Sequence, residues 1–293
     1  MPESPWGEPS SETIASLKAQ SDGRPPVRRF VVVIIHYRNP QEVWELVESI
    51  GGWNEKPEAI VIADNSHPRD VWSGLSLPGI PINIASSPGN PGYGQAANLA
   101  IFSVDPEVPY VLLLTQDARL QENTARMLID TIRSDPYAAV AGPALVYRSN
   151  EQKYFSLGGS LSAQGETKHD GLGTLTSDHH LENLKIKSVD WLDGACLLLR
   201  VDVFRALNGF DPSYFLYVEE VDYQLRVRLS HHKALINQQC IAAQEPGNYP
   251  WALRSKNHVR LTKKFKGHLR RWPIATIFLA RTLKASVSWL TNK

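Results

Sequence analysis

The sequence predicts an α/β fold built on a doubly wound, mainly parallel sheet. Three observations lead there: a continuous β-branched run opens the ordered part of the chain, strand and helix patterns alternate after it, and several strands end in polar or acidic residues. The run Phe30 to Ile35 (FVVVII) does not alternate, as expected of a parallel strand covered on both faces. Pro40 suits a first helical turn, so a helix is expected from there to about Ile50. Ala59 to Ala63 reads as a second strand ending in Asp64, and Ile82 to Ala85 as a third. Gly94 to Val104 reads as a helix, and Tyr110 to Leu114 as a fourth strand running into Asp117.

Between Asn150 and Asn183 five glycines are scattered among polar residues, which predicts an irregular hairpin or a mobile loop. Order resumes with Ile186 to Trp191, Cys196 to Arg200, a short helix from Asp202 to Leu207 and a stronger one from about Val218 to Leu229. The expected organisation is a tail over 1–28, one catalytic-size domain over 29–245 with halves at 29–120 and 121–245, and a basic helical extension over 246–293.

Composition narrows the function. The net charge of +1 conceals an asymmetry: residues 1–245 carry −10, whereas the last 48 residues carry +11 and no acid. An acidic body repels phosphate backbones, so nucleic acid is not an expected partner. The basic end suits an anionic surface. Its apolar stripe of Leu279, Leu283, Val287 and Leu290 lies opposite Arg281 and Lys284. Two readings stand: packing on the domain or on a second copy in a homo-oligomer, and peripheral contact with a membrane. Met1 to Pro26 lacks the apolar core of a secretion signal, and no segment reaches the roughly 18 to 20 apolar residues of a spanning helix. Cys196 and Cys240 sit in apolar runs, as small buried hydrophobes do. The expected location is the cytoplasm, including the inner face of the cell membrane.

In open parallel sheets ligands bind beyond the carboxyl ends of strands, so polar residues there are the candidates. His36-Tyr37-Arg38-Asn39 and Asp64-Asn65-Ser66 follow the first two strands, where a carboxylate can accept the ring N–H of a pyrimidine or simply make a turn. Asn90-Pro91-Gly92-Tyr93-Gly94 precedes a helix carrying Asn98; glycines there let backbone approach a diphosphate, or form a plain turn. Asp117 can bind a divalent ion or cap a helix. Glu219, Glu220 and Asp222 open a helix behind the aromatic run Tyr214 to Tyr217. They can supply a general base beside a platform for a sugar ring, or stabilise the helix dipole while Asp222 pairs with Arg226.

In order along the chain, VVVIIHYRN, VIADNS, NPGYGQAAN, LLLTQDARL, GPALVY, WLDGACLLLRVDVFRALNGFDPSYFLYVEEVDYQLRVR and RSKNHVRL resemble the family 2 glycosyltransferases, especially their rhamnosyltransferase-like branch, over roughly residues 30 to 265. The resemblance implies a GT-A fold, a nucleoside-diphosphate sugar donor (a dTDP- or UDP-sugar), a glycan or lipid-linked acceptor and inversion at the anomeric carbon. By position, Tyr37, Asn39 and Asp64 resemble the nucleoside pocket, Asn90, Gly92 and Asn98 the loop beside the donor, and Gly194 and Ala195 the floor of the sugar site. Asp117 matches the last aspartate of the family's Asp-x-Asp motif. Glu220 stands where the family has its catalytic aspartate, flanked by Glu219 and Asp222. Thr115 replaces the first aspartate of the motif, and Gln244 a histidine that often completes the metal site. The implied cofactor is therefore manganese or magnesium held through Asp117 without two usual ligands. The competing classes are a sugar-nucleotide-binding protein with impaired catalysis, and a sugar nucleotidyltransferase.

Overall fold

The computed structural model describes residues 28–66, 69–87, 89–178, 185–247, 251–266 and 268. The expected tail, and the stripe from Leu279 to Leu290, lie outside the described residues.

A ten-stranded sheet forms the centre. Strand β1 (Phe30–His36) is flanked by β2 (Ala59–Asp64) and β4 (Tyr110–Thr115), both parallel to it, and β3 (Ile82–Ser86) extends β2 at the edge. Helix α1 (Pro40–Gly51) joins β1 to β2, and α2 (Tyr93–Ser103) joins β3 to β4. On the other side of β4 the main path continues through β11 (Cys196–Arg200), β6 (Ala138–Tyr147), β12 (Lys233–Gln244) and β10 (Ile186–Val189). Strand β5 (Arg119–Leu120) pairs with β12, and β7 (Asn150–Ser156) with β6.

The even numbers of β1 pack with Val43, Leu46, Val47 and Ile50 of α1 and with Leu128, Ile129 and Ile132 of α3 (Thr124–Arg133). Its odd numbers pack with Ala96, Ala97, Ala100 and Ile101 of α2. The strand is thus covered on both faces, and each fully buried aliphatic side chain contributes about 1.5 to 3 kcal/mol. Helix α1 buries i, i+3, i+4 and i+7, a single apolar stripe, and begins with Pro40 at its first position.

Two features depart from the expected sheet. Strand β11 runs antiparallel to both β4 and β6, so its first residue, not its last, lies at the edge where β1, β2 and β4 end. The glycine-rich stretch is largely regular: β7 is followed by a small hairpin of β8 (Gly159–Leu161) and β9 (Thr167–His169). After β11 come α4 (Val201–Ala206) and α5 (Glu219–Leu229), and the described chain closes with α6 (Trp251–Lys264).

Candidate active site

The register aligns His36 with Asp64 and Ile35 with Thr115, bringing the ends of β1, β2 and β4 and the polar residues after them to one edge. Beyond β1, the Gln116 side chain clasps the Tyr37 peptide: the Tyr37 N–H donates to its Oε1 at 2.8 Å and its Nε2 donates to the Tyr37 carbonyl at 3.2 Å. This holds Tyr37 with its ring 41% exposed and the Arg38 guanidinium 4.8 Å from the ring centroid. Asn39 is exposed beside them. Asp64 behaves differently from expectation. It is 1% exposed, and its oxygens meet His36 Nδ1 at 2.8 Å, the Ser66 N–H at 2.8 Å and the Trp72 indole N–H at 2.9 Å. A carboxylate with these partners organises the pocket wall from within, because its lone pairs are occupied inside the protein.

The glycine loop also has a specific steric role. Gly92 has φ +99, and a Cβ there would lie 1.9 Å from the Phe215 carbonyl oxygen. That carbonyl accepts the Tyr93 N–H at 3.0 Å, so the close approach expected for a diphosphate is taken by the protein's own chain. Asn90, at φ +48, accepts the Gly92 N–H at 3.2 Å through Oδ1. Asn98 grips the Phe210 peptide from both sides, donating to its carbonyl and accepting its N–H at 2.8 Å each. Its amide is therefore a clamp on the loop leading to α5.

That loop carries the acids. Gln224 of α5 makes two 2.8 Å bonds to the Leu192 peptide, fixing the segment 191–195 against the helix. Asp193, next in sequence, accepts the Ala195 N–H at 3.0 Å, while the Ala195 carbonyl accepts the Thr115 N–H at 3.0 Å. The Tyr93 hydroxyl donates to the Gly194 carbonyl at 2.5 Å, and a Cβ on Gly194 would lie 3.2 Å from that hydroxyl. Asp193 and Gly194 thus stand beside Tyr93 at the start of β11, whereas the Ala195 side chain, expected at the floor of a sugar site, is buried in the core with Leu112, Leu114 and Ala118.

The electrostatics follow from desolvation, with no cation among the described residues contributing to the shifts of Glu219, Glu220 and Asp193. Burial pushes Glu219 up to about 7, and Asp193 adds to the shift. Glu220 is held well above the usual carboxylate range by burial, then by Glu219 and Asp193. Asp193 itself is pushed up to about 6 by desolvation, with Asp117 contributing. Tyr93 and Tyr217 are raised by burial and by the same three acids. Glu219 Oε2 is buried without a hydrogen-bond partner. Acids crowded so that they resist ionisation mark a place where proton transfer is arranged.

Asp222 does not belong to that group. Fully buried, it pairs with Arg226 Nε at 2.8 Å and Lys264 Nζ at 2.7 Å, and accepts from the Tyr214 hydroxyl at 3.4 Å. The expectation of a flanking catalytic acid is corrected: two cations hold this carboxylate as a brace between α5 and α6.

Around Asp117 the donors are oxygens. Its Oδ2 accepts from Gln244 Nε2 at 3.3 Å, and Gln244 Oε1 and Thr115 Oγ1 are buried without partners. No group of three or more His, Cys, Asp or Glu residues among the described residues could hold a metal ion.

Asp193, Tyr93 and Gln224 were not singled out from the sequence. The signal for Asp193 is an acid just before a strand, because antiparallel β11 enters the site with its beginning and not its end.

The chain is similar to known proteins in sequence and in fold. The model of glycosyl transferase family 2 matches residues 31–204. An N-acetylglucosaminyl-diphospho-decaprenol L-rhamnosyltransferase of Mycobacterium tuberculosis is 24% identical over 283 residues, covering 83% of this chain and 88% of the relative. The rhamnosyltransferase WbbL of Escherichia coli K12 is 26% identical over 218 residues, covering 68% and 76% respectively. Among solved structures, GalNAc-T7 with UDP, GalNAc and Mn2+ superimposes with a TM-score of 0.61 at 13% identity, over 80% of this chain; the chain spans 47% of that structure.

Proposed function

The chain belongs to glycosyl transferase family 2 and is a rhamnosyltransferase-like glycosyltransferase of GT-A fold, and on that premise we propose that it transfers a sugar, rhamnose foremost, from a nucleoside diphosphate to a hydroxyl of a glycan or lipid-linked acceptor, with inversion. The single observation that carries this mechanism is the buried pair Glu219 and Glu220, raised together beside Asp193 with Glu219 near neutrality. The names of the two rhamnosyltransferase relatives support the sugar, and the first of them, acting on N-acetylglucosaminyl-diphospho-decaprenol, supports a lipid-linked acceptor.

Exposed Tyr37 and Asn39 receive the nucleoside against the wall set by Asp64. Asn90, Gly92 and Asn98 hold the loop beside the donor, and Asp193 and Gly194, with Tyr93 packed against Gly194, border its sugar ring. The acceptor oxygen attacks the anomeric carbon as the bond from that carbon to the diphosphate breaks on the opposite face, so configuration inverts. The acceptor proton passes to the glutamate pair. Two acids in such contact titrate as one unit, and near neutrality the pair holds about one proton between them. Glu220 occupies the family's base position, and the proton it shares with Glu219 before the acceptor binds leaves the pair one place free for the acceptor proton. A base of this kind contributes about a hundredfold or more in rate.

The oxygens around Asp117 fit manganese or magnesium, which prefer hard donors. Asp117, Gln244 Oε1 and Thr115 Oγ1 would hold such an ion, with Asp193 close enough to feel the charge of Asp117. When bound, the ion neutralises the leaving diphosphate. Arg38, exposed at the same edge, is a cation available to share that charge.

The test begins with calorimetric binding of UDP, dTDP, GDP and CDP, with and without manganese, followed by Glu220→Gln. Transfer from dTDP-rhamnose is expected to fall about a hundredfold or more while nucleotide binding stays unchanged. Near-normal turnover in the variant would remove Glu220 from the mechanism. Slow donor hydrolysis without acceptor separates an active enzyme from a binding protein with impaired catalysis.

A further inference from the structure

Immediately before the two glutamates the backbone does something unusual. Tyr217 has φ +71 and Val218 has φ +76, successive non-glycine residues in the left-handed region, the second of them β-branched. Each such residue costs about 1 to 3 kcal/mol and persists only where its surroundings impose it. Val218 is also the N-cap of α5, where its side chain can accept nothing. The α5 start is therefore set from outside the helix.

What imposes it is α6. Asn257, 1% exposed, donates both hydrogens of its Nδ2 to successive carbonyls, Leu216 at 2.9 Å and Tyr217 at 2.8 Å. Successive carbonyls alternate sides in an extended chain and align only in helical conformations of either hand. One amide nitrogen bonded to both therefore selects a coiled backbone at Tyr217 and excludes the extended one. Below it, Leu261 and Phe265 pack against Trp191, Tyr214, Val218, Val221 and Leu225, joining the helix to the wall that carries Asp193. Lys264 adds its pair to Asp222.

We propose that Asn257 is the positioning residue of the base pair: by holding the Leu216–Tyr217 carbonyls it fixes the left-handed turn before α5 and keeps Glu219 and Glu220 buried together at the helix start. The inference rests on the assignment of those glutamates as the proton-accepting pair. It makes the first part of the basic C-terminal segment a component of the active site.

The experiment uses the full chain labelled with 13C at the glutamate side-chain carboxyl, followed by NMR titration, with Glu219→Gln identifying the signal that titrates near 7. Asn257→Ala is expected to move that titration down by about one unit or more, as the freed carbonyls let residues 217 and 218 relax and water reach the acids. UDP and dTDP binding is expected to stay unchanged, and the acidic limb of kcat/KM for transfer from dTDP-rhamnose to move to lower pH with it. Adding Val218→Gly, which removes the steric cost of the left-handed turn, is expected to return the titration toward 7. Should Asn257→Ala not fold, Asn257→Ser, which keeps one donor, carries the same titration. A folded variant whose glutamate still titrates at about 7 overturns the proposal. If Glu219→Gln and Glu220→Gln both leave transfer intact, the base assignment itself has failed; if they abolish transfer while Asn257→Ala shifts nothing, only the positioning role has.

Discussion

Two carboxylate sites within the same helical turn are handled in opposite ways. Asp222 has no exposure and two cations within 2.8 Å, so its charge is neutralised in place. Glu219 and Glu220, also buried, have other acids for neighbours and are pushed toward the protonated state. A fold can bury a charge cheaply by pairing it, and the pairing at Asp222 shows that cations are within reach of α5. Leaving the adjacent two unpaired lowers stability and creates a reservoir for a proton, which is the trade-off expected at a catalytic position.

The sharpest way to break the contrast is to remove the paired acid. Asp222→Asn leaves Arg226 and Lys264 without their partner and loosens α6 from α5. A loss of about 3 kcal/mol is expected, measured by denaturant unfolding. If stability were unchanged, the ion pairs would be incidental and the contrast would dissolve.

Glu219→Gln has the opposite sign. A carboxyl raised from 4.5 to about 7 binds its proton more tightly in the folded state than in the unfolded one. Folding stability therefore falls as pH rises from about 4.5 to about 7, and the full penalty is present above that. The variant lacks the penalty, so it is expected to gain on the order of 2 to 3 kcal/mol relative to the parent at pH 8 and close to nothing at pH 4. Equal effects at both pH values would mean the carboxyl is not held protonated by its surroundings.

How much of this was legible in the sequence differs between the halves. The strands β1, β2 and β4 are legible almost to the residue, because they are buried on both faces and announce themselves as uninterrupted apolar runs ending in polar ones. Helix α3, with apolar residues at 125, 128, 129 and 132, carries as clear a stripe in the sequence but no residue that points to chemistry. Strand β12 was hidden by Asn237, Gln238 and Gln239 at its middle, where the pairing with β6 is interrupted by a register shift. At the site, residue types pointed to Glu219 and Glu220, but spacing could not separate them from Asp222, since only the tertiary placement of Lys264 decides which acid is paired. Asp64 and Asn98 were placed at the right edge; their partners inside the protein depend on Trp72 and Phe210, which sequence proximity does not select.

The smallest expected effect concerns Asp117, an acid neither paired nor crowded to the same degree. Its one described side-chain partner is the Gln244 amide at 3.3 Å, whose nitrogen bonds the Glu245 carbonyl more closely at 2.7 Å, and among the described residues Gln244 Oε1 and Thr115 Oγ1 have no partner. Unmet oxygen donors around a carboxylate are what a hard cation would satisfy. Mn2+ binding in the presence of UDP or dTDP, followed by electron paramagnetic resonance, is expected to weaken about tenfold in Asp117→Asn, some 1.4 kcal/mol. Gln244→His, which supplies an imidazole nitrogen where the amide stands, is expected to strengthen it by a similar factor. Binding that ignores both changes would place any ion elsewhere and leave the neutralisation of the diphosphate to cations such as Arg38. The edge of the sheet would then divide into an acid pair that moves a proton and a basic side chain that holds the leaving group, with Asp117 serving only to seat the Gln244 amide.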